Sequence, residues 1–264
     1  MSILFRKKKI YYDKVFIINK LKLFIRKILN RFDINIVRLS TIENDIKKVF
    51  KDRVNDKITI FDIGAYTGNS VYDFRNIFKN SLIYSFEPSS KNYKKLIKNT
   101  EKLKNVFTYN IAVSSKEGKS KFYENEWEFT SSLLKINEGK YKKKLDNSFK
   151  YRGINHSNKI YEVKTTSIDK FIENNQIEKI DIIKIDTQGN EEEVLKGMKR
   201  VLKNNNVKII IIEMIFADYY EKSNVSFMRL EKYLLINGYK IFGIYGINKI
   251  SGKPIYQLDV MYYC

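Results

Sequence analysis

From residue 58 onward the chain alternates between two hydrophobic periods. Short apolar runs of β type give way to stretches whose apolar residues recur every third or fourth position, and the exchange repeats to the end of the sequence. The runs predict strands over 58–63, 82–86, 106–112, 161–165, 180–185, 207–213, 239–244 and 255–261. The helical period predicts helices over 68–79, 89–102, 167–174, 190–203 and 225–237. IDIIKI and VKIIIIEMI are apolar on both faces, which places them inside a parallel sheet covered by helices. The expected fold is α/β, a doubly wound sheet that binds its ligands at the carboxyl ends of the strands.

Upstream, residues 14–32 read as an amphipathic helix. Ile18, Leu21, Ile25, Ile28, Leu29 and Phe32 share one face, while Lys22, Arg26, Lys27 and Arg31 gather opposite. A second short helix is expected over 41–51. The chain therefore divides into a basic helical extension, residues 1–56, and an α/β domain, residues 57–264. Within that domain residues 124–159 are polar and basic without a sustained period, and read as an irregular, mobile insertion on the substrate side.

Length and charge narrow the picture. At 264 residues and 43 % apolar content there is material for one large core with a modest appendage. The net charge is +20, and residues 1–40 alone hold eleven Lys and Arg against two Asp, a net of +9. The basic helix has two readings, peripheral contact with an anionic membrane through residues 1–40 or packing on the domain with a solvated basic face; the second is the commoner arrangement. The one cysteine, Cys264, and the one histidine, His156, exclude a disulfide framework, a cysteine zinc site and a histidine metal cluster within one chain. A reducing, cytoplasmic setting follows. The apolar run VFIINKLKLFI is broken by Lys20 and Lys22 and does not read as a membrane span.

The candidate chemistry lies at the strand ends. ITIFDIGAYTGNS, residues 58–70, is a strand, a tight turn and a helix start, with Gly64 and Gly68 spaced G-x-x-x-G after Asp62. Such a turn aims backbone N–H groups past the strand end, and glycine lets a ligand approach. It lacks the G-x-G-x-x-G of dinucleotide sites and the lysine of a phosphate loop, and suits a ligand with a charged amino acid end. Glu87 follows the second strand 23 residues after Gly64, near the spacing at which a carboxylate grips ribose hydroxyls. Asp186 and Glu213 end two later strands. In KIDTQGNEEEVL, Gly189 is a turn glycine and Asn190 a candidate N-cap, so Asp186 sits beside a helix N-terminus, a place for a general base or a hard-metal ligand.

FDIGAYTG, SFEPSSKNYKKL, YNIAVSSKEG, SSLL, VKTTSIDKFI, DIIKIDTQGNEEEVLKGM and IIIIEM, in that order, resemble the FkbM family of S-adenosylmethionine-dependent methyltransferases over residues 57–262. The resemblance implies a class I methyltransferase (Rossmann-like) fold, with seven strands ordered 3-2-1-4-5-7-6 and the seventh antiparallel. It implies S-adenosylmethionine as cofactor and methyl transfer to an oxygen, here a sugar hydroxyl of a surface polysaccharide, lipopolysaccharide or related glycan. Asp62, Gly64, Ala65 and Gly68 would surround the methionine part, Glu87 the ribose, and Asn110 and Ala112 the adenine. Asp186, Gln188 and Glu191 would line the reacting side. Many relatives carry Glu where Gln188 stands, which leaves the need for a divalent metal open.

On this reading Asp186 takes or orients the acceptor proton, supported by Glu213 or Glu191. His156 is a rival base by chemistry but lies in the irregular insertion. Ser131 and Ser132 would touch cofactor or acceptor, and Trp127, Phe129 and Tyr141 would stack on a sugar ring. Two other classes use such a sheet. A nucleotide-binding oxidoreductase would need tightly spaced glycines and a Tyr-x-x-x-Lys pair near the cofactor, and a nucleic-acid methyltransferase or RNA-binding module would exploit the +20 charge. The glycines are not so spaced and no base-flipping motif is present, and nucleic acid is the disfavoured partner.

Overall fold

The computed structural model describes residues 40–53, 55–137, 159–204, 207–217, 219–221, 227–249 and 254–264. The helix expected at 14–32, and Tyr141 and His156, lie outside them. In chain order the elements are α1 (Ile42–Val49), β1 (Thr59–Ile63), α2 (Asn69–Ile77), β2 (Leu82–Phe86), α3 (Ser90–Thr100), β3 (Val106–Tyr109), β4 (Ala112–Val113), β5 (Gly118–Glu124) and β6 (Lys159–Thr166). They continue with α4 (Ile168–Asn175), β7 (Ile182–Ile185), α5 (Glu191–Lys196), α6 (Lys199–Lys203), β8 (Ile209–Ile215), α7 (Phe227–Leu235), β9 (Lys240–Lys249) and β10 (Ile255–Tyr263).

Seven strands form one sheet in the order β3-β2-β1-β7-β8-β10-β9, with β10 antiparallel to both neighbours and the first five parallel. This is the class I methyltransferase order. The strand order reverses between β1 and β7, where a crevice opens beyond the carboxyl ends. β8, IIIIEMI, is buried along its whole length because helices cover both faces. On one face Ile183, Ile185, Ile210 and Ile212 pack against Phe171, Val194, Leu195 and Leu230 of the later helices. On the other, Ile60, Ile182 and Ile211 meet Val71, Phe74 and Leu96 of α2 and α3. Ile46 and Phe50 join this second core, so the compact unit begins at Ile42 and takes in residues that the sequence pattern assigns to the extension.

The expected strand over 106–112 is split into β3 and β4. β4 leaves the main sheet and pairs with β6 in a three-stranded sheet ordered β4-β6-β5. The expected helix over 190–203 is broken into α5 and α6 at Gly197, where a Cβ would overlap the carbonyl of Ser114. Among the described residues no helix is long and apolar enough to cross a membrane.

At the amino ends of the strands, buried Asp181 ties β1 to β7. It accepts from the Thr59 N–H at 3.0 Å, from Arg53 at 3.0 Å and from Lys179 at 2.9 Å. Asp181→Ala leaves the Thr59 donor without its partner and should lower the unfolding free energy by about 1–3 kcal/mol in a urea titration. Arg53→Ala, which removes a partly exposed partner, should cost less than about 1 kcal/mol in the same titration.

Candidate functional site

A cavity of about 430 Å³ opens at the carboxyl ends of β2, β1, β7 and β8 and at the amino end of the antiparallel β10, and reaches Ala112 and Val113 of β4. That volume lies within the range of pockets that enclose a small-molecule ligand.

The β1 end is a tight turn whose first two N–H groups, on Gly64 and Ala65, both donate to the carbonyl of Phe86 at 3.0 Å. Gly64 has φ +83°, a conformation that glycine adopts freely, and a Cβ there would overlap the carbonyl oxygen of Asp186. Bare backbone therefore faces the cavity between β1 and β7. The Glu87 carboxylate lies beside this turn and accepts from the N–H groups of Tyr66 at 2.9 Å and Ser89 at 2.8 Å. Burial pushes its pKa up to about 8, with the Asp186 and Asp62 charges adding to the rise against those two donors.

The far end holds a chain of charges. The Lys184 ammonium donates to Asp186 Oδ2 at 2.8 Å. Gln188 Nε2 reaches Asp186 Oδ1 at 3.2 Å and Glu213 Oε2 at 2.5 Å, and Gln257 Nε2 donates to the other oxygen of Glu213. Burial alone would raise Asp186, but Lys184 more than offsets it and holds the carboxyl below the usual range. Glu213 goes well above its usual range through burial and then through the Asp186 charge. The two carboxyls are thus pushed apart, Asp186 towards its ionised form and Glu213 towards its protonated one.

The Asp186 strand end continues into a left-handed turn, Gln188 at φ +56° and Gly189 at φ +98°. Glu191 holds that turn from within, its Oε1 accepting from the N–H groups of Thr187 at 3.0 Å and Gly189 at 3.1 Å and from the Thr187 hydroxyl at 3.1 Å. Burial raises Glu191 to about 7 in spite of these donors.

A roof closes over the cavity. Trp127, Phe129 and Ser132 line it from the 3₁₀ turn Glu128–Thr130 and the segment that follows. Glu128 anchors the turn through Lys91 at 2.5 Å, Lys95 at 2.8 Å and the Tyr66 hydroxyl at 3.1 Å. The Ser132 hydroxyl donates to the Gln188 carbonyl at 2.8 Å. Tyr220 Oη lies 3.1 Å from the Thr130 carbonyl and 3.0 Å from Gln188 Oε1, which links roof and carboxylate pair.

Of the residues singled out from the sequence, Gly64, Glu87, Ala112, Asp186, Gln188, Asn190 and Glu213 line this one cavity, with Trp127, Phe129, Ser131 and Ser132 in its roof. Others sit behind it. Asp62 is fully buried one layer below, with one oxygen 2.5 Å from the Ser70 hydroxyl and the other without a partner. Ala65 is core, and Gly68 packs α2 closely against Leu96 of α3. Asn110 clips the loop after β2 by donating to the carbonyls of Glu87 and Pro88. Glu191 is turned inward with its carboxylate on its own loop, which makes it a support for the turn and not a group facing the reacting end. Asn190 stands at the N-cap position of α5 as expected, but its side chain does not bond the helix N–H groups; its amide donates to the Val113 carbonyl at 3.2 Å. Lys184, Tyr220 and Gln257 were not foreseen. Lys184 carried a usable signal, because a lysine inside an otherwise apolar strand needs acids around it.

Three carboxyls whose pKa is raised by burial give a testable consequence. Glu87 and Glu191 have folded values of about 8 and about 7 against an ordinary 4.5. A raised acid favours folding while protonated, so its contribution is complete below the unfolded value and is lost as pH rises to the folded one. Together with Glu213 they should make the ligand-free protein less stable as pH goes from about 5 to about 8, read as a falling thermal midpoint. Glu191→Gln should flatten that fall.

Residues 62–241 match the Methyltransferase FkbM domain. The hexuronic acid methyltransferase AglP of Haloferax volcanii is 23 % identical over 171 residues, covering 64 % of this chain and 62 % of that protein. The 2-O-methyltransferase NoeI of Sinorhizobium fredii is 23 % identical over 169 residues, covering 61 % and 65 %. This chain thus spans less than two thirds of the length of either relative. The crystal structure of the methyltransferase FkbM from Methylobacillus flagellatus aligns at a TM-score of 0.49 and 15 % identity, over 80 % of this chain and 44 % of that one. With the family domain matched over most of its length, the chain belongs to the FkbM methyltransferase family.

Proposed function

We propose that the chain is an S-adenosylmethionine-dependent O-methyltransferase acting on a sugar hydroxyl of a glycan. One observation carries this: a bare glycine turn, a ribose-type carboxylate and an ionised strand-end acid share one cavity across the switch point of the sheet. The names of the relatives AglP and NoeI support a sugar acceptor. The single cysteine supports a cytoplasmic setting, and the basic residues of 1–40 support peripheral contact with an anionic membrane.

The residues present fit the cofactor. Gly64 offers backbone without a side chain, Glu87 retains lone pairs for two vicinal hydroxyls, and Ala112 gives a small wall for a planar base. S-adenosylmethionine, when bound, supplies a methyl group on a sulfonium: the O–C bond forms as the C–S bond breaks, its electron pair staying on sulfur. Ionised Asp186 accepts the hydrogen bond of the acceptor hydroxyl and then its proton. Lys184 keeps that carboxylate charged and fixes one of its oxygens. Glu213, through Gln188, holds the other oxygen in place, and the roof at Trp127 and Phe129 excludes water.

The test is incubation of the full chain with methyl-labelled S-adenosylmethionine and a surface-glycan fraction. The reading requires a gain of one methyl per modified residue at a sugar oxygen. Label found only on protein or nucleic acid would refute it.

A further inference from the structure

Asp186 can receive a proton only if its carboxylate is aimed, and on the side away from Lys184 one amide does the aiming. Gln188 Nε2 lies 3.2 Å from Asp186 Oδ1 and 2.5 Å from Glu213 Oε2, so both of its hydrogens are used on that side. A carboxamide has a second orientation, a half-turn about its last bond. There its carbonyl oxygen would face the Asp186 carboxylate, oxygen against oxygen, and Asp186 would lose a donor. Which orientation holds is decided by the group on the far side of the amide.

That group is the Tyr220 hydroxyl. It lies 3.0 Å from Gln188 Oε1 and 3.1 Å from the Thr130 carbonyl. The Thr130 carbonyl already accepts from Asn125 Nδ2 at 2.7 Å, so the one phenolic hydrogen gains more on Gln188. The hydroxyl is itself held in place from two directions. The main chain of Tyr220 forms a β-bridge with Ile136, flanked by the Asn137 N–H on the Tyr219 carbonyl at 2.7 Å and the Glu221 N–H on the Lys135 carbonyl at 2.6 Å. Its ring is 3 % exposed and lies against Gly189, where a Cβ would come within 3.0 Å of it. Tyr220 stands behind Gln188 and outside the cavity lining, so it acts on the reacting end through that amide.

Resting on the methyltransferase reading, we propose that Tyr220 is a positioning residue for methyl transfer. Its hydroxyl locks the Gln188 amide with both N–H bonds toward Asp186 and Glu213, and thereby fixes the carboxylate that meets the acceptor hydroxyl.

Tyr220→Phe keeps the ring on Gly189 and removes only the hydroxyl, and circular dichroism confirms its fold. In the ligand-free chain the Gln188 side-chain amide signals are identified in nitrogen-15 NMR by their loss in Gln188→Met. In Tyr220→Phe these protons should exchange with solvent about tenfold or more faster than in wild type. With methyl-labelled S-adenosylmethionine and a surface-glycan fraction, kcat should fall about tenfold while both apparent KM values stay within about twofold, because the amide orients the reacting group and binds neither substrate. A residue acting through Gln188 adds nothing once the amide is gone, so Tyr220→Phe placed in Gln188→Met should change kcat by less than about twofold. A ring that only supports the fold would lower the rate by the same factor in both backgrounds. Equal exchange rates, an unchanged kcat in Tyr220→Phe, or the full loss repeated in Gln188→Met overturns the proposal and leaves the methyltransferase reading standing. Absence of label transfer by the wild type removes that reading and this proposal with it.

Discussion

Gly64→Ala should yield a folded protein that has lost S-adenosylmethionine binding by about a hundredfold or more. The new Cβ would overlap the carbonyl oxygen of Asp186, and it would stand on a residue held at φ +83°. The clash is with backbone, so no side chain can swing away; the ends of β1 and β7 must part. The same shift would loosen the two N–H groups that bind the Phe86 carbonyl and carry Asp186 away from the turn. Circular dichroism confirms that the variant is folded, and calorimetry reads the affinity. Binding within a few-fold of wild type would mean that the turn is not the cofactor cradle.

Asp186→Asn should abolish measurable turnover, a loss of about a hundredfold to ten-thousandfold, with cofactor affinity changed little. An amide keeps the size of the group but cannot take a proton. The two acids differ in what pH does to them. Asp186, held low by Lys184, is ionised across the neutral range, so wild-type activity should persist at pH 6. Glu213, raised by burial and by the Asp186 charge, loses its proton only at higher pH, and the rate should climb further as it does so. Glu213→Gln should retain part of the neutral activity and lose that alkaline rise. A pH–rate profile for both variants separates the roles, and full activity in Asp186→Asn would return the base to another residue.

The parts of the fold that were legible are those where burial is uniform. IIIIEMI and IDIIKI read as interior strands because helices cover both faces, and the antiparallel strand near the C-terminus followed from the family resemblance. β5 was missed because GKSKFYE has no simple alternation. Its burial rests on Phe122, packed with Ala112 and Val163, while Lys119 and Lys121 are exposed. The break at Gly197 was invisible for another reason: it depends on the Ser114 carbonyl, distant in sequence. In the site, Gly64, Glu87, Asp186 and Glu213 were found from position alone, since strand ends of a parallel sheet converge. Glu191 shows the limit of such reasoning. It follows the reacting turn in sequence as closely as any residue, yet its carboxylate bonds the N–H groups of Thr187 and Gly189 and faces inward. Only the left-handed turn at Gln188 and Gly189 decides that direction.

Titration calorimetry with S-adenosylmethionine on the wild-type chain and on Glu87→Gln bears most directly on whether the strand-end crevice is a nucleoside site. The account predicts one site per chain, weakened about tenfold or more when Glu87 loses its second acceptor oxygen. No heat from the wild type, or equal affinity in the two proteins, would contradict it.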